Sequence, residues 1–402
     1  MKRNAFFVLA AQLGVAGTQL VIFAILGRFF GSQVLGGYAL PLSVATPVFL
    51  LLGLSLRVLY VTAEQDWSTY WYLRWTLVTA VLCATVACAA QLLFDTHLNF
   101  ALAVLTVKVF DLIQMSGLGV LHRNGRLASG STFLIFNAGV SCTLASLAAL
   151  LTLDAPAVVW ASAAGSVSSA VAIWIFILLK LRITGGEPGR VVVLLRRGLP
   201  LGLTAAILSV TINLPTYMLA ATGNFAAVAT YSVLSNLRSA VNMAYGTVAQ
   251  VKLHVFAESI RDDNLGRFRS HLWTALMAVT AIGIAVSAIT VLLGPSVVPW
   301  VFGVEADDWL LLLLYVSAGF MAAGVIYVCD AGLSAFQQYH QQVWTAAVAF
   351  CVTGVLLLVV GDRIDLTFAS LALAVALASA ALCKAVILMR IAFGKEKYAL
   401  FS

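Results

Sequence analysis

Six ionisable residues lie inside long apolar runs of this sequence: Arg57, Lys108, Asp111, Arg238, Asp330 and Lys384. At a bilayer centre each would cost about 2.5–3.5 kcal/mol on insertion scales, so such groups face a cavity, pair, or reach an interface. Arg57 and Lys384 sit near the ends of their runs, where long cations can snorkel. Lys108 and Asp111 are three residues apart, share one helix face and can pair with each other. Asp330 is either an interfacial carboxylate or a proton or cation site, and Asp111 is the second candidate for ion coupling.

Arg238 stands about halfway along its run, with no acidic residue within a helical turn of sequence. Tyr231, Arg238 and Tyr245 recur at a spacing of seven, flanked by Ser235 and Asn242, and so form one stripe. A guanidinium holds a diphosphate through two parallel hydrogen bonds, and tyrosine rings can flank the C–H faces of sugars. The stripe therefore suits an anionic, sugar-bearing ligand, with Arg57 and Lys108 as further sources of positive charge. The competing reading is that these polar residues bind their helix to a neighbour. Pro41, Pro47 and Pro215 fall within apolar runs, where each removes a backbone hydrogen bond and bends the helix, so they are candidate hinges. Pro200 is expected at a helix start, where proline is neutral.

No GxxxxGK[ST], HExxH, GxSxG or paired CxxC motif is present, so neither a nucleotide site nor a familiar hydrolytic site is expected, and the chain reads as a non-enzyme. Cys83, Cys88, Cys142, Cys329, Cys351 and Cys383 all lie in apolar runs and read as small packing residues. No metal or organic cofactor is implied. H+ or Na+ is the candidate coupling ion.

These groups must be positioned by membrane helices. Of the 402 residues 62% are apolar and only 10% charged, with a mean hydropathy of +1.02, which leaves no room for a soluble catalytic domain. Apolar runs span 5–26, 35–61, 75–94, 98–121, 133–153, 157–179, 199–221, 225–251, 272–293, 310–333, 343–360 and 366–389. The amino-terminal run is long enough to span and lacks a small-residue cleavage site, so it is expected to be retained. The fold expected is all-α and polytopic, with about twelve transmembrane helices in two six-helix bundles around a central cavity.

If the amino terminus is cytoplasmic, alternation places 17 of the 23 Lys and Arg on the cytoplasmic side and only Arg28 and Arg363 on the other. Both termini are then cytoplasmic. The net charge of +7 reflects this topology and attraction to anionic lipid rather than nucleic-acid binding. The basic, glycine-containing segment 181–198 divides the chain into a first bundle, 1–180, and a second, 199–402.

The halves echo each other, since GSQVLGGY at 31–38 is similar to GNFAAVATY at 223–231. With Gly53-Leu54-Ser55-Leu56-Arg57, Arg197-Gly198-Leu199-Pro200 and Pro299-Trp300-Val301-Phe302-Gly303-Val304-Glu305, these segments resemble the Wzx-type polysaccharide flippases of the multidrug/oligosaccharidyl-lipid/polysaccharide exporter superfamily. At Asn213-Leu214-Pro215 the sequence lacks the charged pair that many of those flippases carry. The resemblance implies a bacterial inner-membrane protein that translocates a polyprenyl-diphosphate-linked oligosaccharide for O-antigen, capsule or exopolysaccharide synthesis. Polysaccharide polymerase and chain-length proteins are its implied partners. A cation-coupled multidrug exporter is the rival within the superfamily. A membrane glycan polymerase or acyltransferase is disfavoured, because the longest outer loop, 294–309, is short.

Overall fold

The computed structural model describes residues 2–62, 67–94, 96–152, 154–181 and 191–393, and these are helical almost throughout. Thirteen α-helices follow in order: α1 (Lys2–Phe30), α2 (Ser32–Leu52), α3 (Leu56–Thr62), α4 (Thr69–Leu93), α5 (Leu98–Arg123), α6 (Leu127–Thr152), α7 (Ala155–Lys180), α8 (Val191–Ala221), α9 (Phe225–Arg261), α10 (Leu265–Phe302), α11 (Trp309–Ala335), α12 (Tyr339–Val360) and α13 (Leu366–Phe393). Among the described residues, eleven of these helices are long and apolar enough to cross a membrane. This is an all-α, multi-pass membrane protein. The remaining long helix is α9, whose 37 residues include Asn236, Arg238, Asn242 and Lys252. Its polarity, not its length, sets it apart.

The apolar run 35–61 is not one helix. α2 stops at Leu52, Leu54 and Ser55 adopt left-handed φ values of 50° and 49°, and α3 starts afresh at Leu56. Such angles are strained for residues with a Cβ and persist only where the surroundings enforce them. Here α8 enforces them: a Cβ on Gly198 would lie 2.8 Å from the Leu54 carbonyl oxygen, and one on Gly202 2.6 Å from that of Leu51. The Gly198-x-x-x-Gly202 spacing thus lets α8 lie backbone-close against the end of α2. Arg57 consequently stands on the short α3, outside the spanning helices, and not within the second span. Pro200 is a second correction. Because α8 already begins at Val191, Pro200 is internal to it. Gly185, Gly186 and Pro188 of the connecting segment lie outside the described residues, as do Lys395, Lys397 and Ser402.

Two compact units emerge from the packing. The first comprises 1–240, 296–307 and 361–366, and the second 241–295, 308–360 and 367–402. In the first unit α2 is the central helix, with most of its residues buried against α4, α5 and α8. α5, α6 and α7 pack together, with α1 against α6. Close approach depends on small residues: a Cβ on Gly165 of α7 would strike Ser141 of α6. At one end of this unit Arg123 donates to the Tyr60 carbonyl at 2.9 Å and lies over its ring.

The second unit is built around Tyr245, Phe256, Phe268, Leu272, Val328 and Leu388. Gly283 and Gly324 make room for the Tyr245 ring. Arg269 caps the end of α13, donating from Nε and Nη2 to the Ala392 carbonyl at 3.0 and 2.7 Å. This uses a guanidinium to satisfy a carbonyl that a helix terminus leaves open. The outer face of α10 carries exposed Met277, Ile284, Ile289 and Leu292, as a lipid-facing helix should. Trp160, Trp273, Trp300 and Trp344 are exposed near helix ends, in keeping with interfacial aromatic belts.

Candidate functional site

Three sequence segments far apart in the chain meet at one end of the first unit. A Cβ on Gly36 would run into the Phe225 carbonyl oxygen, and one on Gly27 into that of Phe302. Gly303, with φ of +60°, ends α10 against Gly27, and Thr230 Oγ1 donates to the Glu305 carbonyl at 3.2 Å. The repeated Gly-to-Tyr segments and the Pro299–Glu305 segment therefore form one glycine-lined junction. Gly37 touches the His97 ring at the same junction, which brings the segment between α4 and α5 to it as well.

The helix-internal prolines lie in this unit too. Pro41 and Pro47 are internal and buried in α2, and Pro215 is internal to α8. Proline cannot donate to the carbonyl four residues earlier, so Pro47 frees that of Ser43. Tyr217 fills the gap, donating from its hydroxyl at 2.7 Å. Gln91 of α4 donates to the Pro41 carbonyl, also at 2.7 Å. Tyr231 donates to the Ile212 carbonyl at 2.8 Å, beside the bend at Pro215. Sequence reasoning marked the prolines and Tyr231 but missed Tyr217 and Gln91. The available signal was a tyrosine two residues after Pro215.

Arg238 is buried, and its Nη2 donates to Ser235 Oγ at 3.0 Å, an i, i−3 contact within α9. Tyr231 is within electrostatic reach of it, two turns earlier. The stripe is divided between the units: Tyr231, Ser235 and Arg238 belong to the first, Asn242 and Tyr245 to the second. Tyr245 is wholly enclosed in the second core, and among the described residues neither its hydroxyl nor Asn242 Oδ1 has a hydrogen-bond partner. Arg57 is half-buried, donates to Met115 Sδ at 3.6 Å and packs its stem against Gly119.

Lys108 and Asp111 are half-buried on α5 and interact electrostatically, but among the described residues no direct ion pair joins them. Asp111 also faces the Ser166 hydroxyl of α7 and lies within electrostatic reach of Tyr38 of α2. Gln19 of α1 touches the Tyr38 hydroxyl at a long 3.5 Å. One turn along α5 the polar face continues: Gln114 Nε2 donates to Ser169 Oγ at 2.8 Å, and Asn137 Nδ2 donates to Gln114 Oε1 at 2.9 Å. This network ties α5, α6 and α7 together. Gln114, Asn137 and Ser169 were not picked out from sequence, although Gln114 follows Asp111 at i+3.

Asp330 of α11 and Lys384 of α13 form a direct pair, Nζ to Oδ1 at 2.6 Å, with Lys384 fully enclosed and the Asp330 side chain 27% exposed. Gln342 Nε2 of α12 donates to the Asp330 carbonyl at 3.3 Å and to Ser334 Oγ at 2.8 Å. Of the two directions open to Lys384, snorkelling outward or turning inward, it takes the inward one. Among the described residues no group of three His, Cys, Asp or Glu side chains is placed to hold a metal ion.

No protein-family model matches the sequence. No curated protein matches it. Solved structures do match in fold. The MATE multidrug transporter DinF-BH, solved as a complex, superposes with a TM-score of 0.73 at 15% identity, covering 98% of this chain and 96% of that one. A multidrug resistance MATE family transporter of the MOP superfamily, in an inward-facing conformation, gives 0.67 at 14% identity, covering 98% and 96%. A MOP superfamily transporter from Pyrococcus furiosus, described by a binding pocket of reverse polarity suggesting a different function, gives 0.64 at 14% identity, covering 98% and 97%. The chain has the fold of the MATE transporters.

Proposed function

We propose that this chain is an alternating-access transporter that moves a polyprenyl-diphosphate-linked oligosaccharide between the leaflets of a bacterial inner membrane, for surface polysaccharide synthesis. The observation that carries the reading is the excess of basic over acidic residues among the buried and half-buried ionisable groups of the two units. The buried and half-buried set holds Arg57, Lys108, Arg238 and Lys384 against Asp111 and Asp330. Asp330 faces Lys384 directly, and Asp111 lies within electrostatic reach of Lys108. A basic surplus suits a diphosphate, whose oxygens guanidinium groups bind bidentately. Arg238 is the residue assigned to the anionic head, with Tyr231 beside it. Pro41, Pro47 and Pro215 are the assigned hinges. Both termini are cytoplasmic in this reading, H+ or Na+ supplies the coupling ion, and polymerase and chain-length proteins act downstream on the exported glycan.

The second reading is a cation-coupled multidrug exporter, and the fold favours it at least as well, since the multidrug transporter DinF-BH shares that fold. Sign of charge separates the two: a path for cationic drugs would favour acidic residues. That polarity varies within the fold is supported by the Pyrococcus furiosus transporter described by a reversed pocket. Lipid analysis after gene deletion decides between them. Accumulation of an inward-facing polyprenyl-linked glycan supports the flippase, whereas unchanged lipids with altered drug resistance support the exporter.

A further inference from the structure

We propose that Lys384 is the resident cation of the second unit: its ammonium occupies the place at Asp330 that a coupling ion would need, so Asp330 takes no metal ion from solution. The geometry is direct. Nζ lies 2.6 Å from Asp330 Oδ1, and the lysine is fully enclosed although it sits on α13, a different helix from Asp330. Among the described residues its hydrogen-bond acceptor is Asp330 alone. A sodium ion taking Oδ1 would have to displace the ammonium and leave it buried without its hydrogen-bonded counter-charge, the costly outcome for any enclosed ion. A tethered cation also competes at a local concentration that a dissolved ion does not match.

A third helix anchors the backbone that carries Asp330. Gln342 of α12 bonds both the Asp330 carbonyl and Ser334 one turn later, fixing the α11 backbone, while α13 supplies the lysine. On α5 the arrangement differs. Lys108 and Asp111 are both half-buried and do not close on each other, so Asp111 keeps oxygen atoms free of a direct lysine contact. Ion coupling, within the transport reading, then falls to Asp111 and not to Asp330. The inference deepens that reading only in this consequence. Its test reads stability, and so stands or falls separately from transport.

The experiment compares thermal unfolding of the purified full-length protein in sodium chloride and in choline chloride at equal ionic strength. The variants are wild type, Lys384→Met and Lys384→Met/Asp330→Asn. Removing the lysine should turn Asp330 into a cation site, so sodium should raise the midpoint of Lys384→Met by about 3 °C more than that of the wild type. The gain should vanish in the double variant, which carries a neutral pair. Where Lys384→Met does not accumulate, Lys384→Gln keeps a neutral donor toward Oδ1 and gives the same comparison. An equal sodium response in wild type and the lysine variant overturns the proposal, as does a gain that survives Asp330→Asn.

Discussion

The hydroxyl of Tyr217 donates a 2.7 Å hydrogen bond to the backbone carbonyl of Ser43, the carbonyl that Pro47 leaves without its helical donor. The gap that Pro47 leaves in the hydrogen bonding of α2 is thereby filled by a side chain from α8, two residues past Pro215. Both helices run on through their prolines, and at Pro47 a side chain satisfies the backbone group that the proline leaves open. In a bilayer that satisfaction is what makes an internal proline tolerable.

Tyr217→Phe should lower stability by about 1 kcal/mol, since it leaves the Ser43 carbonyl without its donor. In a Pro47→Ala background the restored N–H supplies that carbonyl, and the same change should become close to neutral. A double-mutant cycle of thermal unfolding in detergent measures the coupling, and additive losses would show that the bond does not compensate the proline.

Gly36→Val should cost about 1–3 kcal/mol or prevent accumulation, because its Cβ would run into the Phe225 carbonyl oxygen and backbone cannot give way cheaply. Gly139→Ala is the control. Its Cβ meets nothing within 4 Å on α6, so it should stabilise the helix by roughly 0.5–1 kcal/mol. Expression level and thermal midpoint of the two variants check both expectations.

Arg238→Gln and Arg238→Ala should abolish glycan export at matched protein levels, with Arg238→Lys only partly active because an ammonium lacks the planar fork. Quantifying exported glycan decides the matter. Normal export by Arg238→Gln would reduce Arg238 to a packing residue held by Ser235.

Reporter fusions placed in the 181–198 segment and after Ser402 should both be active only in the cytoplasm, given the skew of 17 to two in Lys and Arg between the faces. Activity of either fusion in the periplasm would break the alternation.

Composition and run length by themselves determined the all-helical, multi-pass character of this chain, because a helix is the way a lone apolar segment satisfies its backbone in lipid. They located α5, α7 and α11 to α13 to within about a turn, whereas α4 and α6 begin earlier and α10 runs on at both ends, from Leu265 to Phe302. Spacing along one helix also placed Lys108 and Asp111 on a shared face. What one helix's spacing cannot encode is which other helix it meets. The stop at Leu54 and Ser55, which moves Arg57 out of the second span, arises from Gly198 and Gly202 lying against it more than a hundred residues later in the chain. Lys384, near a helix end, had two physically acceptable directions, outward to the interface or inward. Only the tertiary structure chose, because a carboxylate on α11 stands within hydrogen-bond reach and a buried ammonium needs such a partner.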